Sequence, residues 1–122
     1  MRRMGLAILV LSLAACSYTN EEEETRVLYS GHFSYGFETS SFVPCEGGEQ
    51  WWVSGGAAYS QFISDYSNAV AKDYKYKYEP AYAEVIGTIT SKGSYGHLGA
   101  YDRELQVNQV VTVRAPSADD CR

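Results

Sequence analysis

Alternation of apolar and polar side chains predicts five β-strands in this chain. The clearest alternation is in the first strand, where Phe33, Tyr35 and Phe37 share one face and small or polar residues share the other. Pro44 must stand at the end or edge of the second strand, because proline has no N–H to donate to a sheet. Gly87 inside the fourth strand indicates a bulge or a tight bend. The strands are predicted at residues 32–38, 40–45, 50–54, 81–90 and 101–114.

After Gly55 and Gly56 the pattern of apolar residues changes to a repeat of three and four positions. It predicts one amphipathic helix over residues 57–72. Its apolar stripe consists of Tyr59, Phe62, Ile63, Tyr66, Ala69 and Val70. Residues 72–80 alternate lysine and tyrosine, which predicts either an edge strand protected by lysines or an extended loop.

The order of these elements is three strands, one helix and two strands. This is the order of the OB-fold, a five-stranded Greek-key barrel. The last strand is expected to point Leu105, Val107, Val111 and Val113 inward. Eleven tyrosines and eleven glycines also favour a β-rich domain. We therefore predict a mainly β protein with a small OB-like barrel, and the alternative is a single sheet packed on one helix.

The N-terminus has the layout of a bacterial secretory signal: Arg2 and Arg3, then an apolar stretch, then small residues. The run Leu13-Ala14-Ala15-Cys16 resembles the lipobox of bacterial lipoproteins. That resemblance implies a diacylglycerol on the Cys16 sulfur and removal of residues 1–15 as a signal peptide. The apolar stretch is about half of the roughly 20 residues that span a bilayer, so we do not interpret it as a transmembrane helix.

Residues 16–26 are predicted to be a lipidated acidic tether, because the four consecutive glutamates at positions 21–24 repel one another. Residues 27–122 then form a single domain. In lipoproteins the residue after the lipidated cysteine influences sorting, and an aspartate there favours the inner membrane. Here that residue is Ser17. In a bacterium with two membranes, the resemblance therefore implies a lipid anchor in the outer membrane of the cell envelope, with the domain facing the periplasm.

The net charge of the chain limits the classes of partner that it is expected to bind. Without the signal peptide the chain carries 8 basic and 15 acidic side chains. An acidic surface repels phosphate backbones, so nucleic-acid binding is not expected. A cationic partner or a metal ion fits this balance better.

Two cysteines remain beside Cys16. In an oxidising compartment, Cys45 and Cys121 are expected to form one disulfide that ties the C-terminus to the middle of the chain. The alternative is a pair of free thiols or metal ligands.

A second resemblance involves the segment 31–45, with a Gly-x-Phe pattern followed by Phe42-x-x-Cys45. It resembles the start of the OB-like C-terminal domain of NlpE-type lipoproteins, a family linked to copper homeostasis, surface sensing and envelope-stress signalling. Cys121 also matches the bridge in that domain. The chain has no counterpart of the family's N-terminal domain and no Cys-x-x-Cys. The resemblance therefore implies the fold, the bridge and the outer-membrane location.

The chain has few of the residues that act as nucleophile or base in hydrolases. His32 and His97 are the only histidines, and there is no Gly-x-Ser-x-Gly elbow. Paired carboxylates, Glu46 with Glu49 and Asp102 with Glu104, are interpreted as solvated surface groups. We therefore expect no enzymatic activity and no cofactor. A metal shared by the two histidines with Asp102 or Glu38 is a minor alternative.

The candidate ligand-binding residues are aromatic. Tyr95, His97 and Tyr101 lie on a glycine-rich loop that could hold a ligand, and the alternative is a hairpin whose tyrosines only pack. Trp51 and Trp52 are adjacent on a strand and must point to opposite faces. One would be in the core. The other would form an aromatic platform with residues 74–78 for a sugar or peptide, or lie buried beneath the helix.

These expectations converge on a membrane-anchored, non-enzymatic lipoprotein that acts as a binding or structural module of the cell envelope. Its ligand, a protein or a small molecule, is left open by the sequence. One alternative is a periplasmic inhibitor of a cationic enzyme such as lysozyme. Another is a metal-binding envelope protein.

Overall fold

The computed structural model describes residues 25–71 and 79–122, which form five strands and one α-helix. None of the helices within these two ranges is long and apolar enough to cross a bilayer. The predicted signal peptide, Cys16 and the glutamates of the tether lie outside the described residues, as does most of the Lys/Tyr segment. The elements are β1 (Val27–Gly36), β2 (Thr39–Pro44), β3 (Trp51–Val53), α1 (Tyr59–Ala71), β4 (Ala81–Ile89) and β5 (Glu104–Arg114).

The five strands close into a barrel in the order β1-β2-β3-β5-β4. β1 lies between β2 and β4 and is antiparallel to both. β3 is antiparallel to β2 and parallel to β5, and this parallel pairing closes the barrel. The predicted OB-like architecture is confirmed, and the alternative of an open sheet on one helix is wrong. Closure pairs each described strand on both sides, so none of them presents a free edge.

The core fills the barrel and extends to the inner face of α1. The helix buries Phe62, Tyr66 and Val70, which are spaced four residues apart and therefore share one face. The ring of Phe62 stacks on that of Phe33 in β1, with ring centroids 4.1 Å apart. The largest fully buried side chains are Phe33, Phe42, Phe62, Leu105, Val53, Val85 and Val107. Burying each such side chain stabilises the fold by about 1.5–3 kcal/mol.

The prediction that Phe37 belongs to the inner face of the first strand is wrong. β1 begins earlier than predicted and ends at Gly36, and Phe37 and Glu38 form the turn to β2. Glu38 adopts a left-handed backbone conformation with φ of 54°. Because the chain reverses direction here, the alternation that buries Phe33 does not reach Phe37, which is 90% exposed.

The prediction that Val111 points inward is also wrong. The pairing of β4 with β5 shifts register twice, once between Glu84 and Val85 and once at Gly87. Each extra residue on β5 reverses which face the following side chains occupy. Val110 and Val113 consequently pack against the core, and Val111 is 49% exposed. The bulge or bend predicted at Gly87 coincides with the second of these register shifts. A side chain there would collide with the backbone of the neighbouring strand.

The C-terminal tail is fastened to the barrel by the predicted disulfide. Cys45 follows β2 and is bonded to Cys121, with their Cα atoms 5.1 Å apart. The two residues are 76 positions apart in the chain. Closing so long a loop removes many unfolded conformations, and the chain-entropy model gives about 4 kcal/mol of stabilisation.

A buried carboxylate fastens the same tail to the outer surface of the barrel. The Asp120 side chain is 3% exposed and accepts a hydrogen bond from Nε2 of His32 in β1 at 3.0 Å. It also pairs with the guanidinium of Arg114 at 2.6 Å and accepts the backbone N–H of Ser117 at 2.8 Å. Arg114 in turn lies over the ring of Tyr82 in β4, 4.1 Å from its centroid. Asp120 therefore connects the tail directly to β1 and β5, and through Arg114 to β4.

We expect Asp120→Asn to weaken the fold in a pH-dependent way. Burial raises the pKa of Asp120, but the hydrogen bonds from Ser117 and His32 and the charge of Arg114 outweigh it and hold this pKa below its usual value. A carboxyl group of this kind stabilises the fold above its unfolded pKa of about 3.9, and this contribution is lost as the pH falls through the folded pKa. The variant should lose about 2 kcal/mol of unfolding free energy at neutral pH.

Denaturant unfolding at a series of pH values measures this effect. Between about pH 5 and about pH 2 the native protein should lose more stability than the Asp120→Asn variant, since the variant has no carboxylate to protonate. Asp119→Asn is the matched control, because its side chain is 86% exposed. Equal losses in the two variants at neutral pH would contradict the role of Asp120.

Candidate functional site

Trp51 and Trp52 lie on opposite faces of β3, as the pleat of a strand requires. The indole of Trp51 is parallel to the ring of Phe42, with centroids 5.9 Å apart, and meets Tyr29 edge-on at 5.2 Å. Trp52 is on the other face, with the ring of Tyr101 at 5.3 Å. Both tryptophans are half-buried. Residues 74–78, which were expected to form a platform with one of the tryptophans, lie outside the described residues. Trp52 packs against the β4–β5 loop and not beneath the helix, which was the other expectation.

The β4–β5 loop, residues 90–103, folds back on the outside of the barrel. Tyr95 and Tyr101 pair across it through two backbone hydrogen bonds of 2.8 and 3.1 Å. The hydroxyl of Tyr95 donates to the carbonyl of Ser91 at 3.0 Å. Gly96 has φ of 70° and lies so close to the Trp52 indole that a Cβ would collide with the ring. Both predicted tyrosines therefore shape the loop, as the hairpin alternative expected, and the loop covers Trp52.

A contact between an imidazole and a carboxylate joins this loop to the β1–β2 turn. Nε2 of His97 lies 3.2 Å from Oε2 of Glu38. Phe37 precedes the glutamate, Leu98 follows the histidine, and each of these apolar side chains is 90% exposed. We call Phe37, Glu38, His97 and Leu98 the tip surface. It consists of two exposed apolar groups held next to one imidazole–carboxylate pair.

Leu98 is held in an unusual backbone conformation. Its φ is 58°, in the left-handed region that leucine rarely adopts. Such a residue costs about 1–3 kcal/mol and is found where the surrounding structure imposes it, often at binding sites. The loop therefore keeps a large apolar side chain in water at some cost to its own backbone.

Sequence reasoning identified His97 but not Phe37 or Leu98. The sequence pattern places Phe37 in a strand. The first two predicted strands are nearly adjacent in the sequence, however, and a turn must join them at about this point. That requirement was the available signal. For Leu98 the sequence carries no comparable signal, because its exposure follows from a turn at His97–Gly99 whose geometry is set by contacts with Trp52.

The remaining candidate residues with titratable side chains each make a separate contact. His32 binds Asp120 and His97 binds Glu38, so the two histidines engage different carboxylates. Within residues 25–71 and 79–122 there is no group of three or more His, Cys, Asp or Glu side chains that could hold a metal ion. Glu49, predicted to be a solvated partner of Glu46, is instead paired with Arg103 at 2.9 Å.

A groove opens on the Trp51 side of the barrel. Its volume is about 450 Å³, and it lies between the start of β1, the turn after β2 and the end of β4. Trp51 and Tyr29 form aromatic walls, and Glu46 is its charged lining residue. Burial and the charge of Glu46 both raise the pKa of Tyr29. The groove residues are Val27, Leu28, Tyr29, Ser30, Pro44, Cys45, Glu46, Gly47, Trp51 and Ile89.

No protein-family model, curated protein or solved structure matches this chain. The fold itself gives only a general expectation. OB-type barrels bind ligands on the face of strands two and three and on the loops after strands one and four. The tip surface is built from those two loops, although a shared architecture does not by itself establish a function.

We expect Gly96→Ala to displace the β4–β5 loop from Trp52. A methyl group at this position meets the indole ring and also disfavours the positive φ. The Trp52 indole N–H signal in a ¹H–¹⁵N spectrum should shift, and the unfolding free energy should fall by about 1–3 kcal/mol.

Gly99→Ala is the matched control for backbone strain. Gly99 also has a positive φ of 64°, but the nearest atom to an added methyl group is the Ser94 Cβ, at 3.3 Å. This variant should lose stability while leaving the Trp52 signal nearly in place. If both variants moved the Trp52 signal equally, the contact between Gly96 and Trp52 would not be what holds the loop.

Proposed function

We propose that the protein is a non-enzymatic, lipid-anchored module of the bacterial cell envelope that binds a protein partner through the tip surface. The observation that carries this proposal is the exposure of Phe37 and Leu98. Each is 90% exposed, and they lie beside the contact between His97 and Glu38 that joins their two loops. The other large apolar side chains on the described surface are between 38 and 54% exposed.

The energetics of burial favour a contact at this position. A Phe or Leu side chain transferred from water into an interface contributes about 1.5–3 kcal/mol. Single exposed apolar residues are common on protein surfaces, so the proposal depends on two of them lying on loops that are in contact through Glu38 and His97. The contact between Glu38 and His97 also links the two loops before a partner arrives. Less conformational entropy is then lost on binding.

The charge of the chain favours a cationic partner. The chain carries 15 acidic and 10 basic side chains in all, and the predicted signal peptide accounts for two of the basic ones. Asp102 is exposed on the β4–β5 loop, which also carries His97 and Leu98. Complementary charge raises the rate of association and disfavours partners of the wrong sign.

The sequence supports anchoring and export. The Leu13-Ala14-Ala15-Cys16 run has the form of a lipobox and follows a basic, then apolar, segment. The disulfide between Cys45 and Cys121 is of a kind that persists in oxidising compartments such as the periplasm. Two or more acyl chains would hold the domain firmly at a membrane, since each buried methylene contributes about 0.8 kcal/mol.

We expect Cys16→Ser to abolish labelling by a palmitate analogue in a bacterial host. The lipid is attached to the cysteine sulfur, so the serine variant has no acceptor. Ser17→Ala is the control and should remain labelled. Gel fluorescence after click labelling, together with membrane fractionation, measures the result. A Cys16→Ser protein that is still labelled would contradict the anchor.

We expect a photo-crosslinking amino acid at position 37 or 98 to capture one defined partner in living cells. The same amino acid at position 111 is the control, because Val111 is exposed but belongs to β5, away from the tip surface. Phe37→Ser, introduced together with the crosslinker at position 98, should reduce the adduct severalfold while changing stability by less than about 0.5 kcal/mol. No adduct at positions 37 and 98, or the same adduct from position 111, would exclude the tip surface as the binding site.

A second candidate function is the inhibition of a cationic enzyme such as lysozyme. The observation that favours it is the projecting Leu98, presented by an acidic protein on a loop that is fixed to the barrel at Glu38 and Trp52. Identification of a basic, glycan-cleaving enzyme in the cross-linked adduct would select this function. The metal-binding alternative has no supporting observation among residues 25–71 and 79–122.

A further inference from the structure

We infer that the groove beside Trp51 is a second binding site, and that it takes a small organic cation: an ammonium group surrounded by apolar carbon. This site is separate from the tip surface and does not depend on the function proposed for it. The two are on opposite faces of β3, since Trp51 lines the groove and Trp52 lies under the β4–β5 loop.

The size and walls of the groove fit a small molecule. Its volume of about 450 Å³ falls within the range of roughly 300–1,000 Å³ that is typical of ligand pockets. Most of its lining side chains are apolar or aromatic, and the barrel forms its floor. The apolar and aromatic lining side chains are Val27, Leu28, Tyr29, Pro44, Trp51 and Ile89.

The aromatic walls are held in place before any ligand binds. Trp51 is stacked on Phe42, whose side chain is fully buried, and the ring of Tyr29 meets the indole at 76°. Both rings are half-buried and line the groove, so each contributes part of its surface to the groove wall. Cations are attracted to aromatic faces, and this attraction strengthens where water is partly excluded.

Charge selects a cation over an anion. Glu46 is charged, and the groove residues include no Lys, Arg or His. The Glu46 carboxylate lines the same groove as the Tyr29 phenol. Burial and the charge of Glu46 both raise the pKa of Tyr29. An ammonium group is therefore attracted to this groove and a carboxylate or phosphate is repelled.

Choline and 3,3-dimethylbutan-1-ol test this inference, because they have nearly the same shape and differ in charge. Each is titrated into the full-length protein in nonionic detergent, with ¹⁵N-labelled tryptophan and a detergent blank. The two indole N–H signals are assigned with Trp51→Phe and Trp52→Phe. We expect choline to move the Trp51 signal and not the Trp52 signal, and to bind at least about fivefold more tightly than the neutral alcohol.

Two variants separate a local charge effect from net charge. Glu46→Gln should reduce the preference for choline at least about twofold, and the aromatic walls should preserve the remainder. Asp102→Asn makes the same change in net charge outside the groove and should keep the preference for choline. The inference is overturned if choline moves only Trp52, if neither probe moves Trp51, if both bind equally, or if Asp102→Asn also removes the preference. None of these results alters the crosslinking expected at the tip surface.

Discussion

The parallel pairing of β3 with β5 is the contact on which the rest of the molecule depends. β3 is only three residues long, yet it is bonded to β2 on one side and to β5 on the other. The N–H of Trp52 donates to the carbonyl of Arg103 at 3.0 Å, and the N–H of Ser54 donates to that of Leu105 at 3.3 Å. Val53, at the centre of this seam, is fully buried, and its carbonyl accepts the hydroxyl of Ser40. This short seam turns a curved sheet into a barrel.

Closure also separates the two candidate binding surfaces. Because β3 is fixed on both sides, its two tryptophans cannot exchange faces, and each is committed to a different environment. Trp51 joins the aromatic wall of the groove, and Trp52 becomes the surface on which the β4–β5 loop rests. The far end of β5 is secured independently through Arg114, Asp120 and the disulfide of the tail. Both ends of β5 are therefore anchored, which keeps the groove and the tip surface at fixed positions on a rigid support.

Local patterns in the sequence were sufficient for the order of elements, the bend at Gly87 and the opposed tryptophans. Each of these depends on the periodicity of a single segment or on one residue type. The exposure of Phe37 and Val111 was not predictable in this way, because it depends on where a turn begins and where β5 gains extra residues. To predict the tip surface, one would need to know that Glu38 and His97, which are far apart in the chain, lie 3.2 Å apart in the fold. The groove likewise arises from curvature that brings Tyr29, Trp51 and Ile89 together.

The most direct test of this account is a map of proton–proton contacts from the two indole rings, measured by nuclear Overhauser spectroscopy. The account predicts that Trp51 gives contacts to Phe42 and Tyr29 and that Trp52 gives contacts to Gly96 and Tyr101, with no exchange between the two sets. Contacts from Trp52 to Phe42, or from both rings to the same neighbours, would contradict it. The strand would then not close the barrel in this register, and the two surfaces would not be separate.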